Sequence, residues 1–206
     1  MITEEIKQSL TQYFESISGH VLLVLQYGSH PKREELSGFL ESLCALSPNL
    51  EMVERDTEGM LRSPISFAIE VDGEYTGIIF SGIPSGHEFN SLILAILRSS
   101  GSDLKLDEGI QKLVQQIDKK LDFEVFVSLS CHNCPDVVQT LNQFALTNIN
   151  ISVEMIDGGL FKNIIDERDI QGVPSVYLNG EVFASGKVDP STLIEKLIEL
   201  EPDLAV

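Results

Sequence analysis

The chain has 206 residues, of which 43% are hydrophobic, so it can bury a substantial core and is not expected to be disordered. Thirty-two acidic against fourteen basic residues give a net charge of −18, which argues against nucleic acids and anionic membranes as partners. The first residues lack the features of a signal peptide, no apolar run is long enough to span a membrane, and three cysteines do not make a secreted disulfide framework. We therefore expect a cytoplasmic protein.

The first half of the chain predicts alternating helices and strands. Apolar residues at helical spacing indicate three helices, and a short apolar run indicates a strand. An Asp-Gly pair, which supplies the positive φ angles of a two-residue turn, predicts a hairpin after Pro64. In chain order, the predicted elements are helix 4–17, strand 21–26, helix 32–46, the hairpin around Asp72-Gly73 and helix 88–98.

The same order recurs about 104 residues further along the chain. Strand 125–130 corresponds to strand 21–26, Pro174 to Pro64, and Asn179-Gly180 to Asp72-Gly73. Helices are predicted at 108–121, 136–145 and 190–200, and the Ser- and Gly-rich stretch 99–103 is the natural linker. We predict two lobes, residues 1–103 and 104–206, because a single doubly wound sheet would not explain the repeated Pro and Gly positions.

The most informative stretch is Cys131-His132-Asn133-Cys134, which Pro135 follows directly. An apolar run before it predicts a buried strand and helical spacing after it predicts a helix, so the thiols lie at a strand-to-helix junction. Unpaired N–H groups and the positive end of the helix dipole favour a thiolate there. The pattern indicates thiol–disulfide exchange, with Cys131 as the more exposed nucleophile and Cys134 as the residue that resolves the mixed disulfide.

The order of elements, with a CxxC opening a long helix and a proline opening the hairpin, resembles the thioredoxin fold. The resemblance implies an α/β protein with two tandem thioredoxin-like folds, each a mixed β-sheet flanked by helices, and only the second with a CxxC. It also implies a cis Val173-Pro174 bond that faces Cys131. The first lobe has Tyr27–His30 in place of the dithiol. Cys44, on the apolar face of a helix, is expected to be a small buried hydrophobic residue.

Four segments resemble more specifically the flavoprotein component of bacterial alkyl hydroperoxide reductases, whose N-terminal domain has two fused thioredoxin-like folds. They are Ser128–Gln139, Ile156–Gly159, Gly172–Pro174 and Gly86–Phe89. The resemblance spans essentially the whole chain. It implies an electron carrier that receives electrons from a flavin reductase domain, which uses FAD and NADH, and passes them to the disulfide of a peroxiredoxin, the other component of alkyl hydroperoxide reductase.

The flavin domain of that family has no counterpart in this sequence. A G-x-G-x-x-G fingerprint and a second cysteine pair are both lacking, so no bound cofactor is expected apart from a redox-active Cys131–Cys134 disulfide. We expect an N-terminal domain separated from its flavin part. The alternative is an independent protein that another reductase serves.

Two further residues are candidates for tuning the dithiol. His132 could supply positive charge or a hydrogen bond to the thiolate, or be an exposed loop residue. Many thioredoxins carry a buried acid six residues before the first cysteine, where this chain has Val125. The resemblance implies that Glu88 of the first lobe approaches the disulfide instead; the alternative is that it stabilises the N-terminus of its helix. With Cys131, Cys134 and Pro174, these residues form the predicted site.

Three other functions remain open from the sequence. A zinc site would need two more ligands beside the CxxC, and the histidines show no paired spacing. An acidic binding module could hold an extended peptide along the hairpins that follow Pro64 and Pro174. A stand-alone disulfide oxidoreductase of the two-lobed archaeal type fits the length, but it normally has a dithiol in both lobes.

Overall fold

A computed structural model describes residues 3–200 of the chain. The last six residues of the predicted second lobe, 201–206, lie outside the described residues. In chain order the elements are α1 Glu4–Phe14, β1 Val21–Gln26, α2 Arg33–Cys44, β2 Leu50–Arg55, β3 Ser66–Val71, β4 Glu74–Ser81, a 3₁₀ helix Gly86–Glu88, α3 Phe89–Ser99, α4 Glu108–Gln115, β5 Leu121–Val127, α5 Cys134–Thr147, β6 Ile151–Asp157, α6 Lys162–Glu167, β7 Ser175–Leu178, β8 Glu181–Ser185 and α7 Pro190–Leu200.

The described strands form one mixed sheet in the order β2-β1-β3-β4-β6-β5-β7-β8. Each half contributes four strands in the same arrangement, one parallel pair and two antiparallel pairs. The halves join where β4 pairs in parallel with β6, Ile78–Ser81 lying against Val153–Ile156. The predicted fold class is confirmed, and the structure adds that the sheet is continuous through both halves.

Both predicted hairpin turns are present, and their backbone angles explain the residues found there. Asp72 and Gly73 have φ angles of 51° and 86°, and Asn179 and Gly180 have 50° and 87°. Two successive positive φ angles are what a two-residue hairpin turn of the favoured twist requires. These turns therefore place β4 beside β3 and β8 beside β7.

Two predicted helices end three or more residues earlier than their apolar spacing suggests. Helix α1 stops at Phe14 instead of Ile17, because the chain leaves it through tighter turns in which Ile17 N–H bonds to Phe14 O at 3.1 Å. Helix α4 stops at Gln115, and Leu121, predicted as its end, is the first residue of β5. Strand β5 in turn ends at Val127, before the predicted 130.

Helix α5 packs against α3 of the first half near the middle of the sheet. Its inward face is the predicted one. The buried residues of this face are Val137, Val138, Leu141, Phe144 and Ala145. This packing brings the N-terminal end of α5, which carries Cys134, against the 3₁₀ helix of the first half.

An ion-pair cluster joins the halves through the side chains of Arg62, Glu124, Glu154 and Arg168. Arg62, on the loop between β2 and β3, reaches Glu154 of β6 with two contacts of 2.5 Å and Glu124 of β5 at 2.6 Å. Arg168 also binds Glu124, at 2.6 Å. Glu124 and Glu154 are direct cross-strand neighbours, so the two arginines separate like charges that would otherwise repel each other.

Candidate functional site

The two cysteines of the CxxC form a disulfide, with Cα atoms 5.6 Å apart. Cys134 is the first residue of α5 and is fully buried, whereas Cys131 lies in the preceding turn and is half-buried. That turn is closed by a 2.9 Å hydrogen bond from Cys131 N–H to Ser128 O. Pro135 lies in the first helical turn, where its missing N–H costs nothing. The geometry presents Cys131, and not Cys134, to a partner.

The N-terminus of α5, where the helix dipole has its positive end, lies at the disulfide. Asn133, the residue that precedes α5, makes no side-chain capping hydrogen bond. The N–H groups of the first turn therefore act on the sulfur atoms without competition from a capping side chain, and the helix dipole adds to their effect. Both favour the thiolate that thiol–disulfide exchange requires.

Pro174 lies opposite the dithiol, as the resemblance implies. The Val173-Pro174 peptide bond is cis, and the Val173 carbonyl oxygen lies 3.8 Å from Cys131 Sγ. Strand β7 begins at the next residue, Ser175. A partner peptide at Cys131 would therefore meet the half-buried Val173 just before the strand.

Glu88 is a carboxylic acid buried between the halves. It is fully buried at the end of the 3₁₀ helix, which packs against α5, and neither carboxylate oxygen has a hydrogen-bond partner of ordinary geometry. Burial raises the pKa of Glu88 to about 7, and the nearby Ser91 hydroxyl opposes that shift. Ser91 itself accepts a hydrogen bond from Gln139 of α5. Glu88 can thus hold or release a proton near neutral pH.

The 3₁₀ helix also brings a second histidine to the dithiol loop. His87 N–H donates to Leu129 O at 3.0 Å, and its ring lies 4.2 Å from the ring of the exposed His132. The approach depends on Gly86, whose φ is +55° and where a Cβ would come within 2.4 Å of Leu129 O. His87 was not among the predicted site residues, although it lies next to Glu88 in the segment Gly86–Phe89 that carries the family resemblance.

In the first half, Arg33 begins α2 as Cys134 begins α5, three residues beyond Tyr27–His30, the predicted counterpart of the dithiol. Arg33, at the start of α2, donates to the main-chain oxygens of Gln26 and Pro64, and its Nη2 lies 3.0 Å from Glu54 Oε1. The Pro64 carbonyl is therefore already engaged. The sequence hypothesis that the hairpin after Pro64 holds a peptide is not favoured by this arrangement.

Other chemistry is limited within residues 3–200. No group of three or more His, Cys, Asp or Glu side chains is arranged to hold a metal ion there. Cys44 is half-buried, and burial, followed by the charges of Glu51 and Glu41, raises the pKa of its thiol to about 12. In the same range no helix has both the length and the apolar character needed to cross a bilayer.

Comparison with known proteins agrees with this geometry. The family model for the thioredoxin domain matches residues 121–199, so the fold and the disulfide define a thioredoxin-like protein of the dithiol type. A protein disulfide oxidoreductase from Aeropyrum pernix has a similar fold, with a TM-score of 0.81 over 95% of this chain and 91% of that one, at 19% identity. At 35% and 41% identity to two relatives, the chain belongs to the family formed by the N-terminal domains of AhpF, the flavoprotein of alkyl hydroperoxide reductase.

Two relatives carry that assignment. The crystal structure of the NTD_N/C domain of AhpF from Enterococcus faecalis is 35% identical, covers 96% of this chain and 100% of that one, and has a TM-score of 0.86. The AhpF protein of Staphylococcus aureus is 41% identical over 197 residues, which is 96% of this chain. The chain spans only 38% of that relative's length.

Proposed function

We propose that this chain is the electron carrier between a flavin reductase and a peroxiredoxin in the detoxification of peroxides in the cytoplasm. The main support for this proposal is the Cys131–Cys134 disulfide, which lies at the N-terminus of α5 opposite the cis Val173-Pro174 bond in a member of the AhpF family. FAD and NADH belong to the flavin reductase part, which delivers two electrons to the disulfide. The disulfide of a peroxiredoxin, the second component of alkyl hydroperoxide reductase, receives them.

The transfer proceeds in two exchanges that balance atoms and electrons. The Cys131 thiolate attacks the partner's disulfide, so that a bond forms between Cys131 and one partner sulfur while the other leaves as a thiolate. Cys134 then loses its proton and attacks Cys131 Sγ, which releases the second partner sulfur. The partner gains two electrons, its two thiolates take up the proton that Cys134 gave up and one from water, and the Cys131–Cys134 disulfide is restored.

The remaining predicted residues act around these two steps. Residues 104–206 carry the chemistry, and residues 1–103 supply Glu88, which accepts the proton that Cys134 loses. This role needs a carboxyl group that titrates near neutral pH, and burial gives Glu88 that property. His132 stabilises the Cys131 thiolate, and Pro174 holds the backbone against which the partner docks.

Direct transfer to a peroxiredoxin is the expected result of a rapid-quench experiment. Protein reduced with a dithiol and freed of it is mixed with an oxidised two-cysteine peroxiredoxin, and thiols are counted on each protein after acid quenching. We expect two thiols to appear on the peroxiredoxin for each pair lost here. Reduction of insulin without reduction of the peroxiredoxin would favour a general disulfide oxidoreductase, the kind of protein that the Aeropyrum structure represents and that this chain resembles in fold alone.

Glu88→Gln tests whether the buried acid titrates as its surroundings imply. The folded-state pKa of Glu88, about 7, lies above its ordinary 4.5, so this group makes the fold less stable as the pH rises from about 4.5 to about 7. The loss reaches about 3 kcal/mol at most. Glutamine does not titrate. Between about pH 5 and about pH 8, the free energy of unfolding should therefore decrease less in the variant than in the wild type, by up to that amount.

Urea unfolding at the two pH values measures this difference, and the exposed Glu74→Gln is the matched control. Equal pH dependence in wild type and Glu88→Gln would show that the carboxyl group does not titrate in this range. A second readout, the rate of exchange with the peroxiredoxin at neutral pH, addresses the proton transfer. An unchanged rate would restrict Glu88 to a structural role.

A further inference from the structure

His87, in the first half, reaches the dithiol loop with its side chain. Its ring centroid lies 4.2 Å from that of His132, with the two planes tilted by 47°. The His87 main chain is fixed at the same time by its hydrogen bond to Leu129 O. The two histidines are distant in the sequence, so this contact exists because the halves dock through the 3₁₀ helix.

The contact matters because His132 directly follows Cys131 on an exposed turn. An exposed histidine without a neighbour samples several side-chain rotamers, and each places the imidazole differently relative to the sulfur. Packing against a ring whose own backbone is anchored restricts that choice. An imidazole held beside a thiolate stabilises it, either as a cation or as an N–H donor.

Other charged groups also lie near this contact along the chain. Glu88 follows His87 on the same 3₁₀ helix, and Asp136 lies in the first turn of α5. Asp136 is exposed and pairs loosely with Lys187, at 3.9 Å. All three remain in the variants below, so they contribute equally to each pH profile.

We propose that His87 is a positioning residue that holds His132 beside Cys131 and so makes the reactivity of the dithiol depend on the dithiol-free half. This deepens, and rests on, the proposed electron-carrier function. His87 acts through His132. Its removal should therefore affect thiolate formation to the same extent as removal of His132, and removal of both should add nothing further.

The test follows alkylation of Cys131 by iodoacetamide, in which the thiolate displaces iodide, across a pH series in the Cys134→Ser background. His87→Ala and His132→Ala are each expected to slow alkylation about threefold at neutral pH, with the pH midpoint moved upward. The double variant should be no slower than His132→Ala, because the two side chains act as one unit. His87→Phe keeps a ring in contact and should retain most of the wild-type rate.

The matched control is His20→Ala, since His20 pairs with Glu51 before β1 and lies outside the dithiol loop. Its profile should equal that of the wild type. Three results would each overturn the proposal. The first is an unchanged profile in His87→Ala, and the second is that the effects of His87→Ala and His132→Ala multiply. The third is a His87→Phe variant as slow as His87→Ala. A lower melting temperature of His87→Ala with an unchanged profile would assign it a structural role only. Failure to reduce a peroxiredoxin despite the expected profiles would instead count against the electron-carrier function.

Discussion

Replacing Cys131 by serine should lower the rate of peroxiredoxin reduction by about a thousandfold or more, since the turn then presents no thiolate to the partner. Cys134→Ser should behave differently. Cys131 can still attack, but the residue that resolves the mixed disulfide is gone, so the partner stays covalently attached. Non-reducing electrophoresis and mass spectrometry of the quenched mixture should show a one-to-one adduct with Cys134→Ser and none with Cys131→Ser.

The order of the two cysteines follows from their burial. Cys131 is half-buried and Cys134 fully buried, so an approaching disulfide reaches the first sulfur only. Cys44→Ser serves as the control, because burial raises the pKa of the Cys44 thiol to about 12 and leaves it almost entirely protonated at neutral pH. It should exchange at the wild-type rate. An adduct with Cys131→Ser, or full turnover by Cys134→Ser, would reverse the assignment.

Arg62→Met should lower the free energy of unfolding by about 2 kcal/mol, less than the 3–5 kcal/mol typical of a fully buried pair because the cluster is partly exposed. Burial works against the charge of Arg62, but the hydrogen bonds and charges of Glu154 and Glu124 outweigh it and raise the pKa of the guanidinium. Without this side chain, two neighbouring carboxylates face each other across β5 and β6. Urea or thermal unfolding measures the loss.

Arg55→Met is the matched control for Arg62→Met. Arg55 pairs with Glu70 at 2.8 Å, but its side chain is 49% exposed, so its replacement should cost less than about 1 kcal/mol. The penalty of Arg62→Met should also shrink in acid. Burial alone would raise the pKa of Glu124, but Arg168 and Arg62 lower it. The stability that this carboxylate contributes is therefore present above about pH 4.5 and is lost as the pH falls below that. Equal penalties for the two variants at neutral pH would show that the cluster does not hold the halves together.

The features that could be predicted from the sequence are those that short segments determine. Asp72-Gly73 and Asn179-Gly180 identify their turns because few other residue pairs adopt two positive φ angles. The start of α5 follows from Pro135 and the apolar spacing after it. The cis bond at Pro174 came from the family resemblance, since no local pattern distinguishes it from a trans proline at the edge of a strand.

The features that could not be predicted join segments far apart in the chain. The sequence contains no local signal that Arg62 reaches Glu124 and Glu154, because ion pairs of this kind depend on how two already formed halves dock. The contact of His87 with His132 is missed for the same reason, and a search for paired histidine spacing cannot find it. Helix ends were misjudged because apolar spacing continues through the tighter turns that follow α1.

The junction between β4 and β6 limits how far the redox half can be treated as a separable module. The counterpart of β6 in the first half is β2, which forms an outer edge of the sheet. Strand β2 carries Glu51, Glu54 and Arg55, and these charges discourage pairing with other chains. Strand β6 reads Ile-Ser-Val-Glu-Met-Ile-Asp, and its alternate residues lie in the core. Cut away from the first half, β6 would become an unprotected edge and a template for aggregation. The half without a dithiol thus covers an edge that the redox half would otherwise expose.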